Sequence, residues 1–413
     1  MGRACDLAER YGIDEASAGT LAAFGFDGSV FDRLRQRLAE TQRPSGVSRT
    51  GADADAVAGD AAATNGTAAN WLSGGIEPPR PDDLVRLPLA GSREREQLAH
   101  LGREAIAGGQ VGVLLLAGGM ATRFGGGVKA LAEVLPGLTF VDAKLAGLQC
   151  LANELECQLR LWLMTSFRSD GGLREWAAAV PADEHVKVGF VPQGVSMRLT
   201  PSGELFRDRT GNVSLYAPGH GDAPWAMQRS GELSRFADDG GRCLFVTNVD
   251  NAAATLDPAV IGAHLAAKQP LTCEVVKGAA AGGSPWRVDG RLQIVESFRL
   301  PPGADPLAPG TVNTNSLVAD VEVFSAGWPL TWFEVRKQVD GLAVVQFERL
   351  IGELSAFVDT TMLLVERDGS DGRFQPVKDP AELEVRRPEI ARILSARIAS
   401  VRTLCAGGTA SGA

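Results

Sequence analysis

The run Val111-Gly-Val-Leu-Leu-Leu-Ala117, ending directly in Gly118 and Gly119, limits the fold more than any other stretch of the chain. Continuous apolar residues over strand length, without alternation, fit a strand buried on both faces, as in a parallel sheet covered by helices. Further strand candidates are Leu159 to Thr165, Val186 to Val191, Cys243 to Asn248 and Leu271 to Val276. Helical periodicity lies between them at Val141 to Leu155, Ala223 to Ala237 and Asp257 to Lys268. A charged helix from Ser92 to Ala107, stopped by Gly108 and Gly109, precedes the first strand. The alternation predicts an α/β fold, a mixed, mostly parallel central sheet flanked by helices.

The flanks read differently. Residues 1–43 carry helical spacing, with Leu34 and Leu38 among charges, and are expected to form an N-terminal helical segment. Residues 44–91, entered at Pro44 and rich in Ala, Gly, Asp and Thr, read as a flexible linker. Residues 92–372 make the main domain, and 373–413 a C-terminal segment with a strand-like piece at Phe374 and a helix from Pro380 to Leu404. At 413 residues and 45% hydrophobic content, the chain can bury a full core.

Charge and cysteine usage exclude several classes of protein. A net charge of −9 argues against a sequence-independent nucleic-acid binder, which depends on cations to neutralise phosphates. A small phosphorylated ligand is compatible with it, provided the cations are gathered at one site. Six cysteines without a C-x-x-C pair fit neither a zinc site nor a disulfide framework. No segment has the apolar length of a membrane helix, and MGRACDLAER lacks the apolar run of a signal peptide, so the cytoplasm is the expected compartment.

The glycine-rich loop is where the sequence speaks of chemistry. From Leu115 to Lys129 it leaves the carboxyl end of the buried strand, the place where open α/β sheets bind ligands. Gly118 and Gly119 let a nucleotide approach the backbone, whose amides can cradle phosphate oxygens, while Arg123 and Lys129 supply positive charge. The loop matches neither the G-x-x-x-x-G-K-[ST] nor the G-x-G-x-x-G pattern. Read by spacing alone, a glycine-rich surface turn is an equally good account.

The stretch Leu116-Ala-Gly-Gly-Met-Ala-Thr-Arg-Phe-Gly125, followed by Lys129, resembles the signature loop of the sugar nucleotide pyrophosphorylases. Phe190-Val-Pro-Gln193 resembles that family's base-reading segment. Pro218-Gly-His-Gly-Asp222, Phe245-Val-Thr-Asn-Val-Asp-Asn251, Asn313-Thr-Asn315 and Gln375-Pro-Val-Lys378 resemble motifs of its UTP-glucose-1-phosphate uridylyltransferase branch. The stretch from Gln97 to Arg123 is closer to the UDP-N-acetylhexosamine branch. The chain departs from the family at Ala121, at Met197 and at the Gly127-Val-Lys129 approach to the lysine.

The resemblance implies a Rossmann-like nucleotide-diphospho-sugar transferase, with 92–372 as its catalytic domain. The expected reaction joins a nucleoside triphosphate, UTP by preference, to glucose 1-phosphate and releases pyrophosphate. Ala117, Gly118, Gly119, Gln193 and Gly219 are then assigned to the nucleotide, with Gln193 on the base. Lys129 is assigned to the α-phosphate, Lys378 to the attacking phosphate and Arg123 to the outgoing pyrophosphate. His220, Asn248, Glu296 and Asn315 are assigned to the sugar phosphate. Asp250, just past a strand end, is the expected ligand of a magnesium ion between the phosphates. Helix capping is the commoner role for an isolated aspartate, and a solvated surface charge the commoner role for a lysine such as Lys378.

Transfer to N-acetylglucosamine 1-phosphate or a cyclitol 1-phosphate, or from GTP, remains open, because the Gln193 carboxamide both donates and accepts. A non-catalytic nucleotide-sugar-binding regulator is a reading of a different class, against which stands the presence of Arg123, Lys129, Asp250 and Lys378 together. With only 35 residues after Lys378, and those helical in pattern, a monomer or small homo-oligomer without a C-terminal β-helix domain is expected.

Overall fold

The Val111–Leu116 strand is buried along its whole length. It pairs in parallel with Cys243–Asn248 on one side and Leu159–Met164 on the other. The computed structural model, which describes residues 2–41, 67–120, 126–181, 183–278 and 282–398, places this trio inside an eight-stranded sheet. Its order is Leu84–Arg86, Thr360–Val365, Leu271–Lys277, Thr311–Asp320, Cys243–Asn248, Val111–Leu116, Leu159–Met164, Val186–Phe190. Thr311–Asp320 runs antiparallel to both its neighbours, and the remaining pairings are parallel. The mixed, mostly parallel sheet expected from the pattern is therefore present.

Alternate residues of the central strand feed two apolar layers, as the period of two requires. Val113 and Leu115 face helices Arg93–Ala107, Phe140–Glu154, Pro258–Ala267 and Pro380–Arg397 through Ile106, Val141, Val260 and Ile390. Leu114 and Leu116 face the helices Ala223–Arg229 and Glu232–Asp238 through Met227 and Phe236. Each fully buried large side chain contributes about 1.5–3 kcal/mol. Ser92 caps Arg93–Ala107 by accepting from Arg95 N, which sets that helix where its start signal puts it.

Two helices on the first face touch through their backbones. A Cβ on Gly102 would lie 1.8 Å from the Pro258 carbonyl oxygen, and one on Gly262 would lie 1.8 Å from the Leu98 carbonyl oxygen. Arg93–Ala107 and Pro258–Ala267 can approach this closely only with glycine at both positions.

The C-terminal segment is tied down by charge. Arg373, 1% exposed at its side chain, donates Nε to Glu274 Oε2 at 2.6 Å and Nη2 to Glu274 Oε1 at 2.7 Å. Glu274 is fully buried in the Leu271–Lys277 strand. The same guanidinium donates to the Thr255 carbonyl at 3.0 Å. Asn251 donates to the Arg373 carbonyl at 3.0 Å and accepts from Gln375 N at 2.9 Å, so residues 373–376 lie against the end of the Cys243–Asn248 strand.

The N-terminal helical segment is present as three helices, Gly2–Tyr11, Glu15–Ala23 and Gly28–Thr41. Tyr11, Phe26, Phe31 and Leu38 pack with Val195, Met197, Leu215, Val345 and Phe347 in a third apolar cluster. Met197 is a 1%-exposed member of this cluster.

Three expectations need correction. Residues 67–91 are not linker: Leu84–Arg86 is an edge strand of the central sheet, Ile76–Glu77 pairs with Gly283–Val288, and Asn70 is buried against Glu334. Their low periodicity reflects strands too short to alternate visibly. The rest of the expected linker, 44–66, lies outside the described residues. The helix expected from Ala223 to Ala237 is two helices, broken at Gly231, whose φ of +71° is left-handed. Phe374 begins no strand; one isolated bridge joins Asn251 to Pro376. Among the described residues no helix is long and apolar enough to cross a membrane.

Gly102→Ala or Gly262→Ala should lower unfolding free energy by about 1–3 kcal/mol through overpacking, measured by urea denaturation. Gly19→Ala, in a helix with open space around it, should not destabilise. Arg373→Met, which leaves Glu274 buried and unpaired, should cost roughly 3–5 kcal/mol in the same measurement.

Candidate active site

Because Val111–Leu116, Leu159–Met164, Val186–Phe190 and Cys243–Asn248 run parallel, their carboxyl ends and following loops open on one edge of the sheet. The antiparallel strand enters at that edge with Thr311 to Asn315. Most of the residues singled out in the sequence stand on these loops.

Gln193 and Gly118 form one contact. Gln193 is 4% exposed, its N–H donates to the Thr165 carbonyl at 2.8 Å, and its side chain lies across Gly118. A Cβ on residue 118 would stand 2.0 Å from Gln193 Nε2, so only glycine fits beneath this carboxamide. Ser166 Oγ donates to the Gly118 carbonyl at 2.8 Å and holds the loop in place. Gln193 Oε1 is buried with no hydrogen-bond partner among the described residues. An unmet buried acceptor costs about 1–3 kcal/mol, which a ligand N–H would offset. Beside it, Ala117 is fully buried and Gly119 faces open space.

Lys129 and Asp250 meet as an ion pair, with side chains 15% and 23% exposed. The Lys129 N–H donates to the Gly119 carbonyl at 3.3 Å, so the lysine closes the glycine loop. Arg123 lies outside the described residues. Lys378 is exposed, its N–H donates to Glu382 Oε2 at 2.6 Å, and no carboxylate pairs with its ammonium among the described residues. The bridge between Asn251 and Pro376 sets the Lys378 segment beside Asp250.

A polar wall continues from there. Asn315, at a left-handed φ of +57°, donates Nδ2 to Asn248 Oδ1 at 2.9 Å. Asn313 Nδ2 lies 3.4 Å from where a Cβ on Gly283 would be, and Glu296 Oε1 lies 2.6 Å from the same point. Glu296 thus packs directly on backbone, and burial pushes its pKa up to about 7, opposed by Arg299. His220 Nδ1 accepts the Ile351 N–H at 3.1 Å, which places the ring proton on Nε2. Burial pushes this imidazole down to about 4, with Glu348 opposing, so it is a neutral donor. Gly219, at φ +90°, has the Arg349 carbonyl oxygen 2.8 Å from its would-be Cβ.

The sequence reading missed residues that position these. Asp222 stood inside a quoted motif without a role, yet it is buried between Arg229, Arg349 and the Gly194 N–H. Arg349 gave no signal, a single arginine in an apolar stretch. Lys144, in the Phe140–Glu154 helix, donates to the Asn251 carbonyl at 2.6 Å, and burial pushes its pKa down to about 7. Arg198, five residues after Gln193, turns away to Gln346, Ser214 and the Leu215 carbonyl.

Residues 72–396 match the family described as UTP–glucose-1-phosphate uridylyltransferase. The chain belongs to this family. The family match takes in all the assigned site residues and leaves the three N-terminal helices outside it. Among curated relatives, UTP–glucose-1-phosphate uridylyltransferase of Hordeum vulgare is 28% identical over 66% of this chain and 60% of its own length. The Saccharomyces cerevisiae enzyme of the same name is 28% identical over 55% of this chain and 45% of its own. The chain thus spans about three fifths of the length of the first of these relatives. Among solved structures, a variant of UDP-glucose pyrophosphorylase from Leishmania major in complex with UDP-glucose superposes with a TM-score of 0.60 at 26% identity, covering 75% of this chain and 69% of that one. A Trypanosoma brucei UDP-N-acetylglucosamine pyrophosphorylase shares the fold, with a TM-score of 0.64 at 19% identity over 76% and 72% of the two chains.

A pH dependence follows from Glu296. Its pKa rises from the usual 4.5 to about 7 on folding, so between these values the folded protein holds a proton that the unfolded chain releases. The associated stability is full below pH 4.5 and is lost as pH rises through 7. Glu296→Gln should therefore flatten the fall of the urea midpoint between about pH 5 and pH 8, measured on the ligand-free protein.

Proposed function

We propose that this chain is a nucleotidylyltransferase that forms UDP-glucose and pyrophosphate from UTP and glucose 1-phosphate. The observation that carries the reading is the convergence, on one sheet edge, of an unmet Gln193 acceptor over Gly118, the Lys129–Asp250 pair and the Asn248–Asn315 pair. A base, a phosphate chain and a hydroxylated sugar need these three kinds of partner. The family match supports the same reaction, as does the relation to a Leishmania major enzyme whose structure holds UDP-glucose.

An oxygen of the sugar phosphate attacks the α-phosphorus, and the bond from that phosphorus to the β-phosphate oxygen breaks in line. Positioning and charge neutralisation supply most of the catalysis in such a step. Gln193 Oε1 accepts the uracil N3–H and Nε2 donates to O4. Lys129 leaves Asp250 to meet the α-phosphate, Lys378 holds the attacking phosphate, and Arg123 the departing pyrophosphate. The neutral His220 donates Nε2–H to the sugar phosphate, and no general base is needed because the attacking oxygen is already anionic. Glu296, Asn248 and Asn315 meet the sugar hydroxyls.

Among the described residues there is no group of three or more His, Cys, Asp or Glu side chains able to hold a metal. Asp250 alone at the phosphate end still fits magnesium, which keeps several waters and takes one or two carboxylates plus substrate phosphates. When bound there, the ion would neutralise charge on the two phosphate groups. Asp250 would hold it, and Lys129 would be freed toward the nucleotide.

Pyrophosphate release should require a divalent cation, and Asp250→Ala should abolish turnover while the protein stays folded. Lys378→Ala should lower kcat by roughly 10²–10³-fold, the scale of a lost transition-state donor. UTP, GTP, CTP and ATP tested against glucose, N-acetylglucosamine, galactose and cyclitol 1-phosphates should give the highest kcat/KM for UTP with glucose 1-phosphate. A higher value for any other pair would replace the substrates, and near-normal activity of Asp250→Ala in magnesium would remove the metal assignment.

A further inference from the structure

A buried carboxylate outside the assigned site holds the Gln193 segment in place. Gln193 sits in the tripeptide Pro192-Gln193-Gly194, and three different elements tie that tripeptide by its backbone. The Gln193 N–H donates to Thr165 O at 2.8 Å, the Pro192 carbonyl accepts from Arg229 Nη2 at 3.4 Å, and the Gly194 N–H donates to Asp222 Oδ2 at 2.6 Å. Asp222 is 2% exposed at its side chain. Its Oδ2 also accepts from Arg229 at 2.9 Å, and its Oδ1 accepts from Arg349 Nη2.

Arg349 extends the support to the opposite loop. Its guanidinium lies 3.8 Å from the ring centroid of Trp225 and 4.3 Å from that of Trp332. Its backbone N–H donates to Pro218 O at 2.8 Å, and its carbonyl accepts from Gly221 N at 2.9 Å, which brackets His220. Arg229, in turn, lies against the N-terminal helices, with Nε 3.2 Å from where a Cβ on Gly25 would be.

We propose that Asp222 is a positioning residue for base selection, its carboxylate fixing the Gln193 loop against the His220 loop so that the Gln193 carboxamide meets uracil edge-on. This rests on the reading of Gln193 as the base contact. An ionised carboxylate can accept from two guanidiniums and a backbone N–H at once, because all its lone pairs are acceptors. An asparagine of the same shape must turn an NH2 group toward one of those donors. Nothing else corrects the resulting shift of Gln193, since its Nε2 already lies directly over Gly118 and its Oε1 has no protein partner among the described residues to hold the carboxamide.

The test compares wild type, Asp222→Asn and Arg229→Gln by calorimetric binding of UTP and CTP and by pyrophosphate release with each. Cytosine presents an acceptor at N3 and a donor at N4, so the UTP-to-CTP ratio reads the carboxamide's orientation directly. Asp222→Asn should weaken UTP binding about tenfold, the scale of one misplaced hydrogen bond, lower the UTP-to-CTP ratio, and change KM for glucose 1-phosphate by less than it changes UTP binding. Arg229→Gln, at a side chain 38% exposed, keeps the Asp222–Arg349 contact and should fold even if Asp222→Asn does not. It should shift the ratio in the same direction by less. A merely structural role would lower the melting temperature without moving the ratio, and wild-type ratios in the folded variants overturn the proposal. A wild type that binds UTP and CTP alike overturns it too. A wild type that prefers UTP but releases no pyrophosphate in magnesium refutes nucleotidylyl transfer alone, and the binding ratios still decide the role of Asp222.

Discussion

The buried pair Arg373–Glu274 is the constraint on which the Asp250 and Lys378 end of the candidate site depends. A carboxylate in the middle of a fully buried strand is tolerable only if a cation reaches it with matched geometry. Arg373 does so with two parallel donors, and the reach obliges residues 373–378 to cross the carboxyl edge of the sheet. Asn251 then bonds that segment by both ends of its amide, while Lys144 holds the Asn251 carbonyl from the other side. Asp250 and Lys378 inherit their places from this framework, although neither takes part in it. Burial pushes the Lys144 amine down to about 7, a measure of how little water reaches the framework.

The Gln193 end uses the same device with the sign reversed. There a buried carboxylate, Asp222, gathers two arginines that come from separate elements. Between these two supports lie Gln193 Oε1, which has no hydrogen-bond partner among the described residues, the neutral imidazole of His220, which accepts the Ile351 N–H at Nδ1, and the exposed ammonium of Lys378. The supporting groups Asp222, Glu274 and Asn251 are each bonded through the protein, whereas Gln193 Oε1 has no partner among the described residues. Lys129 and the exposed Lys378 both belong to the carboxyl edge of the sheet, in a chain of net charge −9.

Much of this was legible in the residues. The five early strands and the helices Phe140–Glu154 and Pro258–Ala267 follow from apolar runs and periodicity, with ends within a residue or two of those observed, whereas Asp170–Ala179 went unread and the stretch from Ala223 is broken at Gly231. The glycine loop was legible as a candidate ligand site because a buried strand ending in paired glycines leaves backbone open. Thr311–Asp320 was not: its polar alternation, Thr-Val-Asn-Thr-Asn, reads as a motif, and only its two antiparallel neighbours make it a strand. Leu84–Arg86 was hidden for the opposite reason, being three residues at the sheet edge inside a stretch of loop-like composition.

By itself the sequence determined the fold class and the chemistry on offer, since periodicity, strand-end glycines and the types of side chain in each motif are local properties. It also carried the family resemblance that the comparisons bear out. Only the tertiary structure decided which of those side chains meet. Lys129 and Asp250 are 121 residues apart in the chain and form one ion pair, Asn248 and Asn315 are 67 apart and share a hydrogen bond, and Arg349 reaches Asp222 across 127. Long-range pairing of this kind depends on strand order and on which buried charges must be neutralised. Those are outcomes of packing the whole chain, and no window of residues contains them.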